Sequence, residues 1–158
     1  NDEDDPRPIV VAIERGHPLV LQTLLKYDPL LDTAPQGRFT PLCIAARDGR
    51  LDMVQILVGG GAGVNAGCNV DGTMHYPIGE AAFRGRRDIV QVLASHGADL
   101  AHAVCFAAEG LQSELLLELH GQLTDQQMRL GLQDHAILSL QPKDMLAVSL
   151  TMLSDAYG

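Results

Sequence analysis

Basic residues are scarce in this chain, with 11 Lys and Arg facing 20 Asp and Glu in 158 residues. The formal net charge is −9, and no Lys- or Arg-rich run interrupts it. Nucleic acid and anionic membrane surfaces recruit clustered positive charge, so neither is an expected partner. Long apolar runs are missing too. No segment approaches the roughly eighteen consecutive apolar residues of a membrane helix, and residues 1–20 carry charges where a signal peptide has its apolar run. Cysteine is sparse: Cys43, Cys68 and Cys105 form an odd set without Cys-x-x-Cys spacing. That argues against a disulfide framework and against a structural zinc site. A reducing compartment, the cytoplasm or the nucleus, is the simpler expectation. Since residue 1 is Asn, the expected form is a monomer or a piece of a larger chain.

What is present is enough for a core. The hydrophobic fraction is 46%, which suits one compact domain or a short repeat array. The one strong charge cluster is the start, NDEDDPRP, where four acidic residues precede two prolines. Residues 1–6 therefore read as a solvated tail or linker.

Internal repetition organises the rest. Ala45, Gly49, Val54 and Leu57 stand 33 positions after Ala12, Gly16, Leu21 and Leu24. Ala45, Ala46, Gly49, Asp52, Val54, Leu57, Gly61 and Ala62 recur 36 positions later as Ala81, Ala82, Gly85, Asp88, Val90, Leu93, Gly97 and Ala98. A third echo, Ala107, Ala108 and Gly110 followed by LQSELLLELHG, places its glycine only 25 after Gly85 and fits less cleanly. Within a unit, Leu42, Ala45 and Ala46, then Leu51, Val54, Leu57 and Val58, recur at helical spacing on either side of Asp48-Gly49. That predicts a helix, a tight turn and an antiparallel helix. Gly49 and Gly85 stand where a left-handed helix stop is least costly, and Thr40-Pro41 and Tyr76-Pro77 supply starts. Such short helices gain stability only by stacking on the next unit.

These residues resemble the ankyrin repeat family. Thr40-Pro41-Leu42, Ala45-Ala46, Gly49, Asp52, Val54, Leu57, Gly61-Ala62 and Val64-Asn65-Ala66 fall on its characteristic positions, and Pro77-Ile78 through Asp99 carries the pattern again. Arg7-Pro8-Ile9 through Leu25 carries it more loosely, with Gly16-His17 at the family's Gly-His step. The resemblance spans about residues 7–121 and implies an all-α solenoid with short β-hairpin fingers. The units run about 7–36, 37–69, 70–101 and a degenerate 102–121, followed by a helical C-terminal cap or degenerate repeat over 122–158. Two departures stand out. Cys43 and Gly79 replace the family's helix-start His, and three extra residues within GCNVDGTMH should lengthen one finger.

Chemistry has little purchase here. Gly59-Gly60-Gly61-Ala62-Gly63 lacks the Lys-Ser/Thr of a P-loop, and no strand precedes it as in a dinucleotide site, so no cofactor is expected. His102 and Cys105 share a helical face, a hint of metal better read as a buried thiol beside a surface imidazole. Cys43 with His75 or His96 as base would have to converge from separate units, and no carboxylate pair appears at a defined spacing. No catalytic and no metal-ligating residues are assigned. The resemblance implies instead a protein-binding module that presents a concave face and its fingers. On that face the expected contact residues are Ile44, Arg47, Asp48, Glu80, Phe83 and Arg84, with Met74 and His75 from the finger. Phe83 flanked by Arg84 is the expected anchor, against the alternative of a Phe packed beneath the finger. Arg84, Arg86 and Arg87 read as a solvated face that caps the turn and pairs with Asp88 or Asp52. The competing functional reading is a regulatory or targeting segment of a larger enzyme, or a bacterial effector or immunity protein, with activity outside these residues.

Overall fold

The computed structural model describes residues 7–27, 31–35 and 37–120. The expected acidic tail (1–6) and C-terminal cap (122–158) lie outside the described residues. Among the described residues eight helices follow in pairs: α1 (Pro8–Glu14) and α2 (Pro18–Leu24), α3 (Pro41–Arg47) and α4 (Leu51–Gly59), α5 (Pro77–Phe83) and α6 (Arg87–Ser95), α7 (Leu100–Glu109) and α8 (Ser113–His120). Between the second and third pairs stand β1 (Cys68–Val70) and β2 (Thr73–His75). This is an ankyrin-type helical repeat solenoid.

Local chemistry sets the helix ends. Pro8, Pro41 and Pro77 open α1, α3 and α5, where a missing N–H costs nothing. The Thr40 hydroxyl accepts from the Cys43 N–H at 3.2 Å, and the Asp99 carboxylate accepts from the Ala101 N–H at 2.9 Å. Each first helix then stops the same way. In the second unit Gly49 turns left-handed (φ +73°), its N–H donates to Ala46 O at 3.3 Å, and the Arg50 N–H donates to Ala45 O at 2.9 Å. Gly16 and Gly85 repeat this two-bond stop, which satisfies carbonyls the helix would leave orphaned.

The fourth unit departs from the sequence reading. Its stop is made by Leu111 (φ +55°), with Leu111 N–H to Ala108 O at 3.2 Å and Gln112 N–H to Ala107 O at 2.9 Å. The equivalent of Gly85 is therefore Leu111, and Gly110, the glycine of the sequence echo, lies one position too early. A Cβ on Gly110 would collide with the Phe83 carbonyl oxygen, so this glycine serves close approach between neighbouring units.

First helices α1, α3, α5 and α7 pack side by side in one layer, and α2, α4 and α6 form a second layer against them. The alanines Ala45, Ala46, Ala81, Ala82 and Ala107 are wholly buried between units, and their small size lets the first helices approach closely. Leu42, Ile78, Met53, Leu57, Ile89 and Leu93 fill the space between layers. The departure at Gly79 has a packing cause, because the Phe106 ring of α7 lies where a Gly79 side chain would be.

Polar bridges tie one unit to the next. The Arg50 guanidinium lies over Gly16 and donates to Glu14 O at 2.9 Å. One unit later the Arg86 guanidinium lies over Gly49, and Gln112 lies over Gly85 and donates to Phe83 O at 3.3 Å. In the loops, Asp32 accepts from the Gly63 N–H at 2.7 Å, and Asn65 bonds both Gly97 O (3.0 Å) and the Asp99 N–H (2.9 Å).

Among the described residues only one finger carries strand pairing. Antiparallel β1 and β2 pair Cys68 with His75, Asn69 with Met74 and Val70 with Thr73. Their two-residue connection, Asp71-Gly72, has positive φ at both residues (52° and 83°), the turn whose twist suits a tight hairpin. It is the segment that the three extra residues lengthen.

Candidate functional site

The finger and the exposed ends of the first helices border one face. Met74 on β2 and Phe83 at the end of α5 are 41% and 39% exposed, far more than core residues of their size. Phe83 is therefore not packed beneath the finger. The Arg84 guanidinium stands 6.0 Å from its ring centroid. On the neighbouring unit Arg47 lies 4.9 Å above the Phe39 ring and donates to Asp48 Oδ1 at 3.2 Å.

Two of the expected contact residues turn inward. Ile44 and Glu80 are 5% and 6% exposed, so neither presents a surface. The helical register puts them on the face toward the groove, but the finger base and the adjoining first helices cover that face. Glu80 there meets His75, whose Nδ1 lies 2.6 Å from Glu80 Oε1. His75 also packs edge-on to Phe39 (5.0 Å between centroids) and tilted to Phe106 (6.0 Å). Phe39, His75 and Phe106 thus form a row of rings from three units at the finger base. Phe39 was not singled out from the sequence, although its place just before Thr40-Pro41 was a signal for it. Of the eight expected residues, the structure brings Asp48, Met74, Phe83 and Arg84 to the surface, half-buries Arg47 and His75 and encloses Ile44 and Glu80.

The basic cluster is also placed differently. Arg87 pairs with Glu114 of α8 at 2.5 Å, and Arg86 lies over the Gly49 turn, in place of pairing with Asp88 or Asp52. Those two carboxylates accept instead from the next backbone N–H, of Ile89 and Met53, at 2.9 Å each.

The thiols are placed against each other and not against the imidazoles considered as their base. Cys43 and Cys68 sulfurs lie 3.8 Å apart, and Cys68 also donates to His75 O at 3.8 Å. Among the described residues no imidazole nitrogen hydrogen-bonds either thiol, since His75 Nδ1 is taken by Glu80 and His96 Nδ1 donates to Val92 O at 2.8 Å. His102 is not the surface imidazole expected: it is buried and stacks on Tyr76 at 3.6 Å. Among the described residues no group of three or more His, Cys, Asp or Glu is placed to hold a metal ion. No described helix is long and apolar enough to cross a membrane.

On the side of the second helices an open groove of about 750 Å³ lies between α2 and α4, bordered by Leu25, Lys26, Asp52, Gln55 and Ile56.

A family model for ankyrin repeats, in three copies, matches residues 9–104. That stretch is more than half of the chain, which therefore belongs to the ankyrin repeat family. Comparison with curated proteins finds no match. Ankyrin repeats are generally protein–protein interaction modules and typically non-catalytic.

Proposed function

We propose that this chain is a non-catalytic docking module whose protein partner contacts the face bordered by the finger and the ends of α3 and α5. The observation that carries the reading is Phe83, an aromatic ring left 39% exposed beside Arg84 in a chain with few aromatic residues. Aromatic and Arg side chains dominate interface energetics because they bury much area at little conformational cost. Met74, Arg47 and Asp48 extend the same face, and Arg47 is held by Phe39 and Asp48 before any partner arrives. Three cysteines, none of them joined in a disulfide, support work in a reducing compartment such as the cytoplasm or nucleus.

Affinity capture with the 158-residue chain, read by mass spectrometry beside a folded Phe83→Ala/Arg84→Glu variant, tests the proposal. A protein retained by the wild type and lost by the variant is the expected result. Equal retention by both moves the interface elsewhere, with the α2–α4 groove as the next surface to alter.

A further inference from the structure

Cys43 and Cys68 come from different elements, 25 residues apart in sequence, and meet inside the protein. Cys43 lies in the first turn of α3 and is wholly buried, and Cys68 opens β1 at 5% exposure. The separation of their sulfurs, 3.8 Å, exceeds a disulfide bond by only about 1.8 Å. The gap is spanned on one side by a two-stranded finger joined through Asp71-Gly72, with Thr73 and Met74 exposed. A finger of this kind opens and shifts more readily than the helices behind it. Cys105, in α7, belongs to another unit.

We propose that Cys43 and Cys68 form a reversible dithiol–disulfide site, oxidised by hydroperoxides, that fastens the finger to α3. The Cys68 thiolate attacks one peroxide oxygen and the O–O bond breaks. The departing hydroxide takes up the proton Cys68 had released, leaving as water, and the sulfur is oxidised to a sulfenic acid. The Cys43 thiolate then attacks that sulfur, forming the S–S bond as the S–O bond breaks. The hydroxyl leaves with the Cys43 proton as a second water. Two thiols lose two electrons, one peroxide gains them, and a dithiol reductant reverses the change.

The division of labour follows from the contact between the sulfurs. Once Cys68 has lost its proton the Cys43 S–H turns to donate to it, and that bond lowers the Cys68 pKa to about 7, while the same bond together with burial raises that of Cys43. Cys68 is thus the sulfur that ionises first and attacks, and Cys43 resolves.

The test treats the native 158-residue chain with dilute hydrogen peroxide, alkylates the remaining thiols and maps peptides without reduction. The expected product is a Cys43–Cys68 linked peptide, with free thiols falling from three to one and restored by dithiothreitol. Amide exchange over residues 69–74 should slow about tenfold or more in the oxidised form, since opening of the finger is then blocked. Cys105→Ser should change nothing. Cys43→Ser should leave Cys68 as a sulfenic acid trapped by dimedone, with no link. Linkage through Cys105, linkage only after unfolding in denaturant, or three intact thiols after peroxide would each overturn the proposal. The wild-type peptide map decides it even if a variant fails to fold.

Discussion

His75 Nδ1 and Glu80 Oε1 lie 2.6 Å apart, joining the end of β2 to the first turn of α5. Glu80 is a buried carboxylate, and this imidazole is the partner that satisfies it. Removing one member therefore leaves the other in unequal trouble. His75→Ala strands a carboxylate in the interior and should cost about 1–3 kcal/mol. Glu80→Gln keeps a side-chain acceptor and should cost less. In the double variant His75→Ala/Glu80→Gln the loss should be smaller than the sum of the single losses, because no buried charge remains. Urea unfolding of the four proteins measures each value. Additive losses would show that the contact contributes nothing to stability.

The turn of the fourth unit gives a second stability prediction, with opposite signs at adjacent positions. Leu111 occupies the left-handed region with its side chain largely in water, a conformation that costs a non-glycine residue about 1–2 kcal/mol. Leu111→Gly should relieve part of that and stabilise by about 0.5–1 kcal/mol, the remainder being offset by the entropy of a more flexible unfolded chain. Gly110→Ala should destabilise, because its methyl group meets backbone of the preceding unit and not a side chain that can move aside. Thermal melts of the two variants decide it. A stabilised Gly110→Ala or a destabilised Leu111→Gly would return the stop to Gly110.

Why the sequence showed Gly49 and Gly85 but misplaced the fourth stop is a matter of which interactions are local. A helix stop uses backbone bonds three and five residues back, so glycine at a fixed offset from the Ala pair marks it. In the fourth unit the offset from Ala107-Ala108 is kept by Leu111, and the visible glycine answers to Phe83 of another unit, which no local pattern reveals. The surface residues divide in the same way. Register alone distinguishes the Ala81-Ala82 side of α5 from the Phe83 side, and Phe83 is indeed exposed. It cannot show that a finger inserted before the helix will lay His75 over Glu80. The pairing of Cys43 with Cys68 was hidden for that reason too, since the fold and not the spacing brings β1 to α3.

The ionisation of Cys68 can be read from its alkylation rate. The groups around the thiol are Cys43, which supports the thiolate by hydrogen bonding, the Thr40 backbone and His75, which favour it, and Glu80, which opposes it. With the pKa lowered to about 7, the iodoacetamide rate at Cys68 should rise with a midpoint near that pH. Cys43→Ala removes the donor, so less of Cys68 is ionised at a given pH and the midpoint should move upward. Peptide-resolved labelling across pH 6–9 measures both. An unchanged midpoint in Cys43→Ala would mean that the sulfur–sulfur contact does not set the acidity of Cys68.

The docking face gives the last prediction, and its strength lies in controls drawn from the other side of the solenoid. Phe83 and Met74 are exposed apolar side chains flanked by Arg84 and Arg47, whereas Gln55 and Gln91 belong to the second helices α4 and α6. For a captured partner, Phe83→Ala should weaken binding by about 1–3 kcal/mol, the range of a central aromatic anchor. Arg84→Glu should act in the same direction, and against an acidic partner its effect should grow at low salt, where surface charges are less screened. Gln91 hydrogen-bonds Glu118 at 3.2 Å at an exposed site, so Gln91→Ala should alter neither fold nor binding appreciably. Gln55 borders the α2–α4 groove, which makes Gln55→Ala the sharper control. Calorimetric titration of variants first shown to melt like the wild type separates lost contacts from lost folding. If Gln55→Ala abolishes binding while folded Phe83→Ala and Arg84→Glu bind normally, the partner sits in the groove between the second helices, and the finger face is not the interface.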